Sequence, residues 1–213
     1  MPEFQNNHNR IHWEALGEGE PIAFLNGVLM TVDSWKFQTT EFSQGYRCLM
    51  HDFRGQLLSS WPDEPWTLED HAKDFEALLD HVGIERCHLI GTSYGGEVGL
   101  LFAATRPDRV RSLTVIASVS ELGPETDRIV LDWREAAIAS PQSLYRTMLP
   151  TTFSEEFIAA NPRLTELGEE RLQACLRTAK DQRVHVMRAL VGVHRLKVHG
   201  VPNHVEIEAD AVA

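Results

Sequence analysis

The pentapeptide Gly91-Thr92-Ser93-Tyr94-Gly95 constrains the fold more than any other part of the sequence. The apolar run 87–90 before it is typical of a buried strand, and residues 94–105 after it predict an apolar helix that Pro107 ends. A serine between two glycines at a strand-to-helix turn is held out above the sheet, because glycine tolerates the tight backbone. We therefore predict that Ser93 is a nucleophile; the alternative is a loop serine that caps a helix.

Strand and helix patterns alternate through the first 120 residues, which is typical of a mostly parallel sheet with connecting helices. Apolar residues between 67 and 82 recur at steps of three and four, with Gly83 as a stop, and they predict an amphipathic helix. The predicted strands are residues 21–25, 46–50, 87–90 and 113–117. The sequence therefore predicts an α/β fold with a core over residues 1–120.

The composition disfavours several kinds of partner. The 213 residues, 43% of them hydrophobic, can bury one substantial core, and a net charge of −11 disfavours binding of DNA or RNA. Because there is no basic and apolar leader and no apolar run of about 20 residues, we expect a cytoplasmic protein without a membrane partner. The three cysteines lack the spacing of a disulfide framework or a metal site, so no metal is predicted.

The character of the sequence changes twice after residue 120. Residues 121–176 carry helical patterns with aromatic side chains, which predict a helical cap over the sheet, with breaks at Pro141, Pro150 and Pro162. Residues 177–199 then carry six Lys or Arg against a single acid, whereas the chain as a whole is acidic. We therefore treat residues 177–213 as an atypical tail.

A nucleophilic serine that attacks an acyl carbon requires hydrogen-bond donors for the developing oxyanion. The Tyr94 N–H follows the nucleophile directly and is one predicted donor. The second predicted donor is the Val28 N–H, in the loop after the strand that ends at Leu25. Asn26-Gly27 also fits an ordinary turn dipeptide, so the sequence leaves both interpretations of this loop open.

Four motifs occur together in a fixed order. They are Leu25-Asn26-Gly27 with Trp35 downstream, Asp52-Phe53-Arg54-Gly55-Gln56, the serine turn followed by Gly96, and Pro107-Asp108-Arg109-Val110 before a strand. With these motifs, residues 10–175 resemble the α/β-hydrolase superfamily, and most of all its esterase and lactonase branch, typified by 3-oxoadipate enol-lactonases. The resemblance implies a capped hydrolase sheet, a small-molecule ester or lactone substrate, an acyl-enzyme on Ser93 and no cofactor.

Two positions depart from the family pattern. Asn26 stands where the family usually has histidine, and Leu57 stands where it usually has a second glycine. Both departures concern the loops near the oxyanion site. Asp52 and Arg54 are interpreted as a structural pair that ties their loop to the core.

The resemblance also implies an acid and a histidine after Ser93, in the chain order Ser, acid, His. The expected strand with a Gly-x-x-Asp turn is not found after residue 177, so we expect the sheet to lack its last strands. Glu121 is the candidate acid and His204 the candidate base. Each also fits an ordinary surface residue, as do the other tail histidines His185, His194 and His199.

Three interpretations of the tail remain open: a product of frameshift or splicing, a replacement hairpin that completes the sheet, or a shortened variant whose role is binding. Without a replacement, strand 113–117 would form an exposed apolar edge, which predicts marginal stability or a homo-oligomer. Two functions follow. The chain is either a serine hydrolase of carboxylic esters or lactones, or a catalytically impaired hydrolase-fold fragment that binds a ligand without turnover.

Overall fold

The computed structural model describes residues 3–62, 64, 66–121, 123–163, 167–168 and 170. Its contacts divide the chain into two compact units, the first of which ends its main segment at Glu121. The predicted tail, including His204, lies outside the described residues, and so does the predicted end of the cap at residue 176. The division into three segments, with boundaries at residues 120/121 and 176/177, therefore stays a prediction.

Within the described residues, the first unit contains a sheet of six strands. The strands are β1 (Glu3–Asn6), β2 (Asn9–Leu16), β3 (Glu20–Leu25), β4 (Tyr46–His51), β5 (Cys87–Thr92) and β6 (Val110–Ile116). Their spatial order is β1-β2-β4-β3-β5-β6. The four strands from β4 to β6 run parallel, whereas β1 and β2 are antiparallel additions at one edge. The predicted α/β fold with a mostly parallel sheet is confirmed.

The helices of this unit connect the parallel strands. They are α1 (Lys36–Phe42), α2 (Leu68–His81) and α3 (Tyr94–Thr105), with short 3-10 turns at Val32–Trp35 and Pro107–Arg109. Helix α2 begins with a capping box, in which the Thr67 hydroxyl accepts from the Asp70 N–H while the Asp70 carboxylate accepts from the Thr67 N–H. The predicted bounds of α2 and α3 agree with the structure to within one residue at each end.

The sequence patterns missed the hairpin formed by β1 and β2. Polar and charged residues fill most of these strands, and their short apolar alternation does not stand out from a loop. Pairing of β2 with β4, from Trp13 opposite His51 to Leu16 opposite Cys48, makes the hairpin part of the sheet. Its strand character therefore depends on a tertiary contact rather than on local pattern.

The position of the central strands decides where functional groups meet. In the parallel pair β3 and β5, Leu25 lies opposite Gly91, so the two strands end at the same edge of the sheet. The loop after Leu25 and the turn after Thr92 therefore leave the sheet side by side. Ligand sites of open parallel sheets form at this carboxyl edge.

The second unit is helical in its described part. It contains α4 (Pro124–Ala139), α5 (Pro141–Thr152) and α6 (Glu155–Ala160). Pro141 is the first residue of α5, where a missing N–H costs nothing because no intrahelical acceptor exists there. The predicted break at Pro150 is wrong, since this proline lies within the last turn of α5. None of the helices in the described ranges has the length and apolar composition needed to cross a bilayer.

Strand β6 is the last strand of the sheet within the described ranges, and its final residue, Ile116, is 45% exposed. The sequence predicted an exposed apolar edge here. What stands beside this edge in the remainder of the chain lies outside the described residues, so the expected homo-oligomer stays a prediction.

Candidate active site

Ser93 occupies the junction between β5 and α3. Its backbone has φ 50° and ψ −121°, a left-handed conformation that costs a non-glycine residue about 1 to 3 kcal/mol. The Ser93 N–H donates to the Ile116 carbonyl oxygen of β6 at 2.9 Å, and the side chain is exposed. The chain thus maintains a strained turn that presents a hydroxyl to solvent at the carboxyl edge of the sheet.

The glycines around Ser93 allow three backbone segments to approach one another. A Cβ on Gly91 would lie 2.6 Å from the Gly95 carbonyl oxygen, and a Cβ on Gly95 would lie 2.1 Å from the Leu25 carbonyl oxygen. A Cβ on Gly96 would lie 2.5 Å from the Ser118 Cβ. No side chain fits at these three positions without moving backbone or a short side chain, so the glycines hold α3 directly against the ends of β3 and β6.

The loop after β3 contains a tight turn beside Ser93. The Met30 N–H donates to the Gly27 carbonyl oxygen at 3.2 Å, and Leu29 has φ 63°. These features are typical of a type II turn, with Val28 at its first central position. A Cβ on Gly27 would lie 3.5 Å from the Ser93 Cβ, so this turn lies against the serine.

The beginning of α3 offers a second backbone donor. The N–H groups of Gly96 and Glu97 both donate to the Ser93 carbonyl oxygen, at 2.9 and 3.2 Å. The Tyr94 N–H belongs to the first helical residue, for which an α-helix provides no acceptor. The structure therefore brings Ser93, Tyr94 and the turn that carries Val28 together; their catalytic roles belong to the proposal below.

A comparison with models of known protein families identifies the family of this chain. The family model described as alpha/beta hydrolase fold matches residues 20–174. The chain belongs to the alpha/beta hydrolase fold family. The resemblance found in the sequence motifs is thereby confirmed.

Two curated relatives match this chain over only part of their own length. RutD of Stutzerimonas stutzeri (strain A1501), named as a carbamate hydrolase, is 32% identical over 164 residues, 71% of this chain and 59% of the relative. A cis-3-alkyl-4-alkyloxetan-2-one decarboxylase of Shewanella oneidensis is 29% identical over 133 residues, 59% of this chain and 41% of that protein. The chain thus spans less than two thirds of the length of either relative.

Solved alpha/beta hydrolase structures superpose well on the chain. MGS-M2, an alpha/beta hydrolase enzyme from a Medee basin deep-sea metagenome library, has a TM-score of 0.83 at 25% identity, covering 91% of this chain and 72% of its own. The enol-lactonase from Burkholderia xenovorans LB400 has a TM-score of 0.77 at 22% identity, and the match covers 92% of this chain and 74% of the lactonase chain. The second likeness shows the fold alone.

The predicted pairing of Asp52 with Arg54 is wrong. Arg54 instead forms a two-pronged ion pair with Asp74 of α2, with Nε–Oδ2 at 2.5 Å and a second N–O distance of 2.6 Å. Asn6 Nδ2 also donates to Asp74 Oδ1 at 2.7 Å. The pair ties the loop after β4 to α2 and the N-terminal hairpin. Residue spacing could not reveal it, because the partners come from three separate segments.

Asp52 is fully buried and accepts three hydrogen bonds. Its Oδ1 accepts from the Val32 N–H at 3.1 Å and from Asn26 Nδ2 at 3.2 Å, and its Oδ2 accepts from the Leu58 N–H at 3.3 Å. Burial raises the pKa of Asp52 to about 7, although the two backbone donors act in the opposite direction. Through its hydrogen bonds with Asn26 and Val32, Asp52 stabilises the loop after β3, which lies beside Ser93.

The candidate base His204 lies outside the described residues, so the described part of the chain tests only the candidate acid and the other titratable groups. Glu121 is exposed, and no hydrogen bond or ion pair joins a described histidine or carboxylate to the Ser93 hydroxyl. Two other histidines, His51 and His71, are buried among aromatic rings, with the His71 ring 5.4 Å from that of Tyr94. Burial lowers the pKa of His51 to about 3 and that of His71 well below its ordinary value, so both are neutral core residues.

Sequence reasoning passed over Glu97, which lies in the first turn of α3. It is 8% exposed, and burial raises its pKa to about 8. Its Oε2 has no hydrogen-bond partner among the described residues. A signal for it exists in the sequence, since Glu97 is the one charged residue of an otherwise apolar helix between Tyr94 and Thr105.

Proposed function

We propose that the chain is a serine hydrolase of carboxylic esters or lactones that acts through an acyl-enzyme on Ser93. The observation that carries the proposal is the strained, exposed Ser93 at the junction of β5 and α3. Strain of this kind persists only where the surrounding structure holds it, and it concentrates at functional sites. The three tightly packed glycines around the turn supply that support.

In the proposed mechanism, Ser93 Oγ attacks the acyl carbon and the carbonyl oxygen becomes an oxyanion. The N–H groups of Tyr94 and Val28 stabilise this charge, and the N-terminus of α3 contributes its positive dipole. Collapse of the intermediate breaks the bond to the leaving oxygen, which takes up the proton lost by Ser93; an ester thus releases its alcohol and a lactone opens to a hydroxyl, with an ester left on Ser93. Water then attacks that ester and frees the acid.

The substrate range follows from this chemistry. Esters, lactones and carbamates all present a carbonyl carbon with a heteroatom leaving group, and the mechanism acts on that shared feature. The relative named as a carbamate hydrolase supports this range. The proposal requires a base for the Ser93 proton, and His204, with Glu121 as the acid that orients it, remains the predicted base.

A second function is favoured by one specific observation, the lack of a base beside Ser93 within the described ranges. A serine hydroxyl without a base is a poor nucleophile at neutral pH. On this alternative, the chain is a catalytically impaired hydrolase-fold module that binds an ester-like ligand without turnover.

Turnover of p-nitrophenyl acetate by the 213-residue chain and by Ser93→Ala distinguishes the two functions. The hydrolase proposal predicts saturable turnover that falls by at least about a thousandfold in Ser93→Ala. Turnover that survives the substitution contradicts the role of Ser93. Undetectable turnover with saturable binding of a non-hydrolysable ester analogue supports the binding module.

A further inference from the structure

We infer that Asn26 is a positioning residue, which fixes the turn that presents the Val28 N–H beside Ser93. The inference rests on the proposed function for its catalytic consequence. Its structural content, the fixing of the Gly27–Met30 turn by the Asn26 side chain, can be measured without turnover.

The Asn26 side chain is completely buried and both of its polar ends are used. Its Oδ1 accepts from the Trp35 indole N–H at 2.6 Å. Its Nδ2 donates to Asp52 Oδ1 at 3.2 Å and to the Met30 carbonyl oxygen at 3.3 Å. One side chain therefore links the end of the turn to an indole in the next helical segment and to a carboxylate after β4.

The hydrogen bond from Asn26 to Met30 fixes the last residue of the turn. Met30 returns its own N–H to the Gly27 carbonyl oxygen, and its sulfur lies 3.2 Å from the Gly27 N–H. Because Asn26 precedes the turn and binds its last residue, the amide spans the turn. Val28 and Leu29 lie between the two fixed ends, so the direction of the Val28 N–H depends on the Asn26 bonds.

The same segment is held against the nucleophile. A Cβ on Gly95 would lie 2.7 Å from the Asn26 carbonyl oxygen, so α3 begins in direct contact with the Asn26 backbone. On the other side, Gly27 lies against the Ser93 Cβ. A shift of the turn therefore changes the distance between the two predicted oxyanion donors. Misplacement by about 1 Å can cost a hundredfold in rate.

The charge environment explains why an amide suits this position. Burial is the main cause of the raised pKa of Asp52, and the carboxylates of Glu14 in β2 and Asp33 in the first 3-10 turn also act to raise it. An Asn26 amide donates to Asp52 without adding charge. A carboxylate at residue 26 would face Asp52 and could complete the same bond only while the pair holds a proton.

The test uses Asn26→Ala and Asn26→Asp, with Thr39→Val as a matched control. Thr39 is also buried, and its hydroxyl donates to the Trp35 carbonyl oxygen, away from the turn. We expect kcat for p-nitrophenyl acetate to fall about a hundredfold in Asn26→Ala while KM changes less than about threefold. We expect Thr39→Val to stay within about threefold of the wild type.

The Asn26→Asp variant supplies a signature that loss of stability does not produce. We expect its kcat, divided by that of the wild type at each pH, to fall by at least about tenfold between pH 6 and pH 9. The division removes the titration of groups common to both proteins. A ratio that stays constant with pH, or an Asn26→Ala variant with wild-type kcat, overturns the inference.

Amide hydrogen exchange of peptides spanning residues 27–31 separates this inference from the proposed function. We expect faster exchange there in Asn26→Asp at pH 8 than in the wild type, while peptides of α2 exchange alike. If the wild type shows no Ser93-dependent turnover, the proposed function fails and exchange alone decides the structural claim. Unchanged exchange in this segment overturns the claim, even where Asn26→Ala fails to fold.

Discussion

Gly95 lies against Leu25 so closely that a Cβ on residue 95 would be 2.1 Å from the Leu25 carbonyl oxygen. This contact joins the first turn of α3 to the end of β3, and it therefore sets the distance between the serine turn and the Gly27–Met30 turn. Because the obstructing atom belongs to the backbone, an added methyl group cannot be accommodated by a change of rotamer.

The first prediction concerns this contact. Gly95→Ala is expected to lower the free energy of unfolding by about 3 kcal/mol, the upper part of the range for overpacking, and to abolish turnover by displacing Ser93. Gly45→Ala is the control, since a Cβ there would meet nothing within 4 Å and the change should stay within about 0.5 kcal/mol. Urea unfolding measures both. Equal stability of the two variants would contradict the close packing.

The second prediction tests the Val28 donor. Proline is favoured at the first central position of a type II turn, so Val28→Pro should preserve the turn while removing the N–H. We expect kcat to fall by about a hundredfold or more, the effect of losing one oxyanion donor. Val28→Ala keeps the N–H and should stay within about threefold of the wild type. A Val28→Pro variant that folds and retains wild-type kcat would exclude this donor.

How much of this site was predictable depends on where its contacts lie in the sequence. The serine turn could be predicted because strand, glycines and helix are consecutive between residues 87 and 105. The bonds of Asn26 could not, since Trp35 and Asp52 reach it only after β3 and β4 pair. In the same way, the sequence suggests Asp52, two residues away, as the partner of Arg54, whereas α2 places Asp74 in contact with it.

The third prediction concerns the dependence of stability on pH. The folded-state pKa of Glu97 is raised to about 8 by burial, so its proton is retained in the folded chain and released on unfolding above about pH 4.5. This contribution to stability is present below pH 4.5 and is lost as the pH rises to about 8. Glu97→Gln is therefore expected to gain roughly 3 kcal/mol relative to the wild type between pH 5 and pH 8.

Urea unfolding of wild type and Glu97→Gln at pH 5, 6.5 and 8 measures this gain. Glu18→Gln, in the exposed loop between β2 and β3, controls for the loss of one negative charge. A stability difference between wild type and Glu97→Gln that does not change with pH would contradict the buried, protonated state of Glu97.

The fourth prediction separates a buried ion pair from an exposed one. Asp74 is 1% exposed in its side chain and Arg54 is 15% exposed, so Arg54→Ala leaves a buried carboxylate without its cation and should cost about 3 kcal/mol or more. Arg10 pairs with Glu3 at the surface, where both side chains are more than 40% exposed. Arg10→Ala is therefore expected to cost less than about 1 kcal/mol. Thermal unfolding at one pH compares the two variants. Similar losses of stability in Arg54→Ala and Arg10→Ala would contradict the difference between the buried and the exposed ion pair.

The central claim is that Ser93 is the nucleophile of an alpha/beta hydrolase site. The most direct measurement treats the folded chain with a fluorophosphonate, then maps the adduct by mass spectrometry of its peptides. We expect one phosphonyl group per chain, on the peptide that contains Ser93, and no adduct on Ser93→Ala. An adduct on another residue, or no adduct under conditions that fully label a control serine hydrolase, would contradict it.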